Sequence, residues 1–282
     1  MTLREIERRL RRARLSYGHG THEARGEATW LFTSVKSPGK RKALLDRRIR
    51  ERIPLAYLLN EAWLDGRRFY VDRRVIVPRS FISELLRERL RPWLHRPVRR
   101  ALDLCTGSGC LAVLTAQTFP QARVDASDIS RDALEVAGIN VRKHRLGRRI
   151  RLLRSDLFSS ITKTYDLIVT NPPYVDARAM RRLPPEYDYE PRLALAAGAD
   201  GLDLVRKILS KARQHLNPGG LLVCEVGDAH RALERAYPEL PFAWPETSEP
   251  GTVFILERDQ LPPAARRGGA TRTPPRRARA RR

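Results

Sequence analysis

Apolar residues recur at helical spacing among charges over residues 3–15 and again over 41–52, and each stretch predicts a helix. Between them Ser34-Val35-Lys36-Ser37-Pro38-Gly39-Lys40 reads as a turn. Residues 1–52 are therefore expected to form a small helical region at the N-terminus. Two short apolar runs follow, Ala62-Trp63-Leu64 and Arg67-Arg68-Phe69-Tyr70-Val71, separated by Asp65-Gly66. An Asp-Gly pair tolerates the positive φ angles of a tight turn, so this is a hairpin, and residues 53–97 read as a hairpin with a connecting helix. After residue 97 the period changes. Apolar runs at 101–104, 123–126, 151–153, 165–170 and 221–224 alternate with helical stretches from about 111, over 132–144 and over 202–215. That alternation predicts an α/β fold, a Rossmann-like and mostly parallel sheet with helices on both faces, over residues 98–261. Residues 253–256 form an apolar run without a helical partner and fit an antiparallel edge strand. Residues 262–282 are mostly Pro, Gly, Ala and Arg, cannot bury a core, and are expected to be disordered.

Charge modifies this picture at the two ends. The chain of 282 residues carries a formal net charge of +23. Residues 1–52 hold 15 basic and 6 acidic residues, residues 53–261 hold 32 and 26, and residues 262–282 hold 8 arginines and no acid. Basic termini attract polyanions such as RNA non-specifically. Arginine outnumbers lysine 48 to 7, so a coding bias toward arginine accounts for the surplus equally well. No apolar run is long enough to cross a membrane, and the charged N-terminus does not read as a secretory signal. Three scattered cysteines suit a reducing, cytoplasmic setting. His19 and His22 lie close together, but no further Cys or His completes a metal site, and a polar loop is the simpler reading.

Candidate chemistry collects at the carboxyl ends of the predicted strands. The first ends in Asp103-Leu104-Cys105-Thr106-Gly107-Ser108-Gly109-Cys110, where glycines let backbone approach a ligand closely. The second ends at Asp128, 19 residues after Gly109, where a carboxylate suits the two hydroxyls of a ribose. The third ends in Ser155-Asp156-Leu157-Phe158. There Asp156 suits the exocyclic amine of an adenine, with Phe158 packing nearby. The fourth ends in Asn171-Pro172-Pro173-Tyr174. Two prolines fix the backbone and remove two donors. The side-chain carbonyl of Asn171 and the main-chain carbonyl of Pro172 can then accept both hydrogens of a planar NH2 group, with Tyr174 as a flat wall.

These residues resemble a known family. Gly107-Ser108-Gly109, Asp128, Asp156 and Asn171-Pro172-Pro173-Tyr174 look like the class I methyltransferases that act on exocyclic or amide NH2 groups, in their protein-glutamine branch. Arg52-Ile53-Pro54-Leu55-Ala56-Tyr57-Leu58, Val77-Pro78-Arg79-Ser80, Cys105 to Cys110, and Leu183-Pro184-Pro185-Glu186-Tyr187 with Glu190-Pro191 narrow this to a resemblance to the ribosomal protein L-three N5-glutamine methyltransferase family. The resemblance runs over residues 52–261 nearly without interruption and touches Tyr17 to Thr21 as well. It implies S-adenosylmethionine as cofactor, bound by Asp103, Thr106, Gly107, Gly109, Asp128, Ile129, Asp156, Leu157, Phe158 and Asn171. It implies catalysis by Asn171, Pro172 and Tyr174. Substrate contacts would come from the tetrad including Pro173, and from Pro78, Arg79 and Glu190. The partner would be large-subunit protein L-three, free or in an assembling particle, with residues 1–52 recognising it. The N-terminal region looks shorter than the family's around residues 34–41, and the arginine tail resembles nothing in the family. Three other readings share these residues: a release-factor glutamine methyltransferase, an adenine N6 nucleic-acid methyltransferase, and a non-catalytic RNA-binding protein of ribosome assembly.

Overall fold

The structure, a computed structural model, describes residues 1–263; the expected disorder of the tail lies outside them. Helix α1 (Leu3–Arg12) starts at a capping box, in which the Thr2 hydroxyl accepts from the Glu5 N–H and the Glu5 carboxylate accepts from the Thr2 N–H. Two helices follow instead of the one expected. Helix α2 (Ala24–Ser34) was not foreseen, and α3 (Pro38–Glu51) begins inside the predicted turn. Ser37 caps α3 by accepting from the Lys40 N–H, and Pro38 occupies the first turn, where its missing donor costs nothing. The connection thus shrinks to residues 35–37. Ile6, Leu10, Leu31 and Leu45 from the three helices share one buried cluster.

Helix α4 (Leu55–Leu59) leads into the expected hairpin of β1 (Ala62–Leu64) and β2 (Arg67–Phe69). Asp65 and Gly66 both take positive φ at its turn. After α5 (Ile82–Arg87) the main sheet begins. Its elements are β3 (Arg100–Leu104), α6 (Cys110–Thr118), β4 (Arg123–Asp128), α7 (Arg131–Lys143), β5 (Ile150–Arg154) and β6 (Tyr165–Thr170). The short α8 (Ala177–Met180), α9 (Asp203–Ala212), β7 (Leu216–Glu225), α10 (His230–Ala236) and β8 (Val253–Glu257) complete the fold.

The strand order is β5-β4-β3-β6-β7-β8, parallel except for β8, which runs antiparallel to β7 as expected. Beyond β8 a single bridge at Ala243 pairs with Ile255 and covers that edge. The strands are buried on both faces, so successive residues enter different cores. Leu167, Val169 and Val223 pack on the α6 side with Leu111 and Leu114. Leu102, Ile168 and Leu222 pack on the α9 side with Val205, Ile208 and Leu209. The segment around the hairpin has its own cluster, in which Ala56, Val71 and Val77 meet Ala133 and Val136 of α7.

Candidate active site

The carboxyl ends of β3, β4, β5 and β6 meet at one cavity of about 170 Å³, where parallel sheets characteristically bind ligands. Thr106, Gly107, Asp128, Ile129, Asp156, Leu157, Asn171 and Pro173 line it, and Pro78 and Arg79 close one side. Of the residues expected here, Asp103, Gly109, Phe158, Pro172, Tyr174 and Glu190 do not line it.

The glycine loop divides its labour. Gly107 has φ +53°, and a Cβ there would meet no atom within 4 Å, so its backbone opens onto the cavity. Gly109 has φ +78°, and a Cβ would lie 3.0 Å from that of Ala137. Its smallness serves the packing of α6 against α7 rather than ligand approach, which corrects the reading of both glycines as ligand-facing. Asp103 is fully buried beneath the loop and accepts from the Thr106 hydroxyl at 2.5 Å. Burial pushes its pKa up to about 7, against the Thr106 hydrogen bond. Asp128 accepts from the Gly107 N–H and the Ser130 N–H, both at 2.9 Å, one on each oxygen. Each oxygen keeps lone-pair capacity for a further donor. Burial raises the Asp128 pKa, with the two N–H groups opposing the rise.

At the end of β5 the expected adenine contact is rearranged. Leu157 sits at φ +46°, a turn that sends the next side chain inward. Phe158 therefore stacks on His215, with ring centroids 4.6 Å apart, inside the α9-side core, and Leu157 faces the cavity instead. The tetrad is likewise split. Asn171 and Pro173 face the cavity, and Pro172 is buried. The Tyr174 ring packs on Gly227, where a Cβ would come within 2.5 Å of the ring, so a side-chain-free position makes its seat. Tyr174 thus forms no wall of the cavity as described.

Glu225, at the carboxyl end of β7, was missed by sequence reasoning. A carboxylate ending the apolar run 221–224, at the same sheet edge as Asp128, was the available signal. Its side chain is fully buried and accepts from the Ser80 hydroxyl at 2.6 Å and the Phe81 N–H at 3.0 Å on one oxygen, and from the Tyr174 hydroxyl at 3.4 Å on the other. It joins the Pro78–Ser80 wall to the tetrad. Burial pushes its pKa up to about 7, against these hydrogen bonds.

Sequence comparison identifies the family of the chain. The methyltransferase small domain family matches residues 81–183. The ribosomal protein uL3 glutamine methyltransferase of Neisseria meningitidis serogroup B is 50% identical over 285 residues, covering 92% of this chain and 94% of the relative. Its counterpart from Bordetella pertussis is 48% identical, covering 92% and 96%. The chain belongs to the ribosomal protein uL3 glutamine methyltransferase family. Two solved structures share its fold: a Pyrococcus furiosus methyltransferase (TM-score 0.50, 19% identity, 78% of this chain and 98% of that one) and the hMettl16 catalytic domain (0.53, 16%, 77% and 80%).

In this uL3 glutamine methyltransferase family member, the segment after the tetrad is a closed loop. Its neck pairs Val175 with Ala196 and the flanking backbone. Pro191, Leu193 and Ala194 from the loop complete the cavity. Glu190, fully buried, accepts from both terminal nitrogens of Arg79 at 2.6 Å and from the Val77 N–H at 2.9 Å. It clamps Arg79, which itself lines the cavity. Burial opposes the charge on Arg79, and Glu190 outweighs it, so its pKa stays above the ordinary value. The helical region grips the same loop. Arg48, only 1% exposed, donates to Glu27 at 2.7 Å, to Glu186 at 3.4 Å and to the Ser16 carbonyl at 2.9 Å. Glu186 also pairs with Arg52 at 2.8 Å. His19 packs its ring on Tyr187 with centroids 4.5 Å apart. Burial lowers its pKa to about 4. Cys105 and Cys110 are raised by burial, Cys110 to about 12, which suits packing rather than nucleophilic roles.

Proposed function

We propose that this chain uses S-adenosylmethionine to methylate the side-chain amide nitrogen, N5, of a glutamine in ribosomal protein uL3, the large-subunit protein L3. The observation that carries the reading is one cavity lined by Asn171 of the tetrad together with Gly107, Asp128 and Asp156. The donor set fits the cofactor. Asp128 keeps lone pairs for ribose hydroxyls, Asp156 suits the adenine amine between Ile129 and Leu157, and Gly107 leaves room that a Cβ would fill. Asp103 and Thr106 hold the loop in shape from beneath.

When bound, S-adenosylmethionine supplies a methyl group on a positively charged sulfur. The chain's own residues place the acceptor. Asn171 Oδ1, which faces the cavity, accepts one hydrogen of the glutamine NH2, and the main-chain carbonyl of Pro172, next in the tetrad although Pro172 lies outside the cavity lining, takes the other, which turns the nitrogen's face toward the methyl group. Orientation of this kind contributes up to about 7–11 kcal/mol. An amide nitrogen is a poor nucleophile, and it gains positive charge as its bond to carbon forms. The two carbonyl oxygens stabilise that charge more in the transition state than in the ground state. The extra proton then leaves for solvent. Tyr174, seated on Gly227 and Glu225, holds the tetrad in place from behind. Arg79, clamped by Glu190, and Pro78 border the path by which the acceptor enters. The helical region, anchored beside the loop, receives the acceptor protein, and the basic termini add non-specific contact with RNA. A ribosomal acceptor and three free cysteines support a cytoplasmic setting.

Transfer of labelled methyl groups to uL3, to a release factor and to bare nucleic acid, side by side, tests the acceptor. Label in uL3 that disappears when its target glutamine is changed supports the proposal. Label only in the release factor or only in nucleic acid moves the acceptor and leaves the chemistry. Asn171→Ala is expected to bind cofactor while turnover falls about 10²–10³-fold; unchanged turnover would remove Asn171 from its role.

A further inference from the structure

The four parallel strands β3 to β6 all begin at the edge of the sheet opposite the cavity. The segments that lead into them are residues 95–100, 119–125, 144–151 and 161–166. Together these hold nine basic residues and two acidic ones, Asp125 and Asp166. All of residues 53–261 have a surplus of only six, from 32 basic and 26 acidic residues. The entire positive surplus of residues 53–261 therefore lies on this one edge, and the rest of that span is close to neutral. An even coding bias toward arginine does not produce such a polarity.

The two acids are already engaged. Asp125 pairs with Arg151 at 2.9 Å and with Lys163 at 3.3 Å. Asp166 accepts from the backbone N–H groups of Arg99 and Arg100 at 2.8 and 2.9 Å, and from Asn217. Among the described residues Arg96, Arg99, Arg100, Arg123 and Arg148 make no ion pair, and all five are exposed. Their order follows the sheet. Arg100 lies beside Arg123 in the strand register, and the Arg123 side chain reaches the Arg148 carbonyl at 2.7 Å. Neighbouring strands are about 4.8 Å apart, so Arg100 and Arg123 stand side by side at the edge, with Arg99 and Arg148 in the segments that lead into β3 and β5. Arg100, Arg123 and Lys163, together with the paired Asp125 and Tyr165, also line a shallow cleft of about 230 Å³.

We propose that this edge is a docking surface for the phosphate backbone of structured RNA. A set of unpaired guanidinium groups matches phosphate oxygens by paired hydrogen bonds, and its affinity comes from counterion release. An acidic protein surface would instead call for apolar anchors at the centre of the patch, and no large hydrophobic side chain exposed on the described surface (Trp63, Ile129 and Leu193) belongs to these segments. Strands of five or six residues, at about 3.3 Å each, separate this edge from the cavity. RNA held here leaves the cavity open to a protein acceptor beside it.

The test is equilibrium binding of the full chain to a labelled RNA duplex of 20 base pairs between 50 and 200 mM salt. Arg99, Arg100, Arg123 and Arg148 are changed together to Ala; Arg149 is left, because its side chain caps the Pro120 and Ala116 carbonyls. A matched control changes Arg178, Arg181, Arg182 and Arg192, which are exposed on the loop at the opposite edge. The first variant should bind about ten-fold more weakly at 100 mM salt, with a salt slope shallower by about 3–4. Its unfolding midpoint should match the parent's. Equal losses in both variants would reduce the effect to net charge and overturn the proposal, as would no loss in either. Equal retention by polyglutamate, lost with the same four arginines, would assign the edge to an acidic protein and also overturn it. Because the readout involves no methyl transfer, failure here is distinct from failure of the proposed acceptor.

Discussion

Glu225 is the residue whose surroundings say most about how the site is held. Its pKa stands at about 7 against an ordinary value near 4.5. Between those values the unfolded chain releases a proton that the folded chain keeps, so stability declines as pH rises through this window and levels off above it. Asp103, also near 7, acts in the same direction. Glu225→Gln can still accept from Ser80 and Phe81 and can donate to the Tyr174 oxygen. It should therefore unfold at higher urea than the parent at pH 8, by up to about 3 kcal/mol, and alike at pH 4. Absence of any gain at pH 8 would mean that the carboxylate is not held at a cost. Turnover should survive in the Gln variant and fall in Glu225→Ala with KM little changed, since only the latter unties Ser80 from the tetrad. Much of this site was legible in the sequence. Gly107, Asp128, Asp156 and Asn171 stand at strand ends, and a strand end fixes where a side chain goes. Phe158 and Tyr174 were misplaced because one positive φ at Leu157 and one vacant position at Gly227 decided their direction. Neither depends on the residue's own identity.

Elements were legible where the apolar period was regular: the strands of the sheet region and helices α6, α7 and α9 follow it, with β7 starting five residues early at Leu216, whereas the short α8 and α10 were not foreseen. Helix α2 escaped because its inward face carries Glu27 between Ala24, Ala28 and Leu31, and a buried acid breaks the pattern that reveals a helix. That acid makes sense only beside Arg48 of α3. The contacts between elements give two further expectations. Gly109→Ala forces a methyl group against Ala137 at an unfavourable backbone angle, and should destabilise the fold by about 2–3 kcal/mol in urea unfolding. Gly227→Ala intrudes on the Tyr174 ring rather than on a core. It should cost turnover more than stability, with cofactor affinity retained in a direct binding titration. If both activity and affinity were unchanged, the seat of Tyr174 would not matter to the chemistry.

Across the whole molecule the tie between the helical region and the sheet region is a set of charges, with Glu27, Arg48 and Glu186 buried and Arg52 half-buried at its rim. Removing one partner of such a set is expensive because the others stay buried. Arg48→Ala should lose about 3–5 kcal/mol and raise protease sensitivity within residues 1–52; a loss under about 1 kcal/mol would show that the set is solvated in practice. The loop it secures carries Glu190 and Leu193, so the same contacts that fasten the helices also shape the cavity. It follows that the N-terminal helices are not an interchangeable cassette. A chimera that borrows residues 1–52 from a relative to redirect the enzyme to another acceptor would arrive with a foreign socket for Glu186 and Tyr187, and its loop would lose its shape. Retargeting would have to transplant the helices and residues 175–198 as a single inheritance.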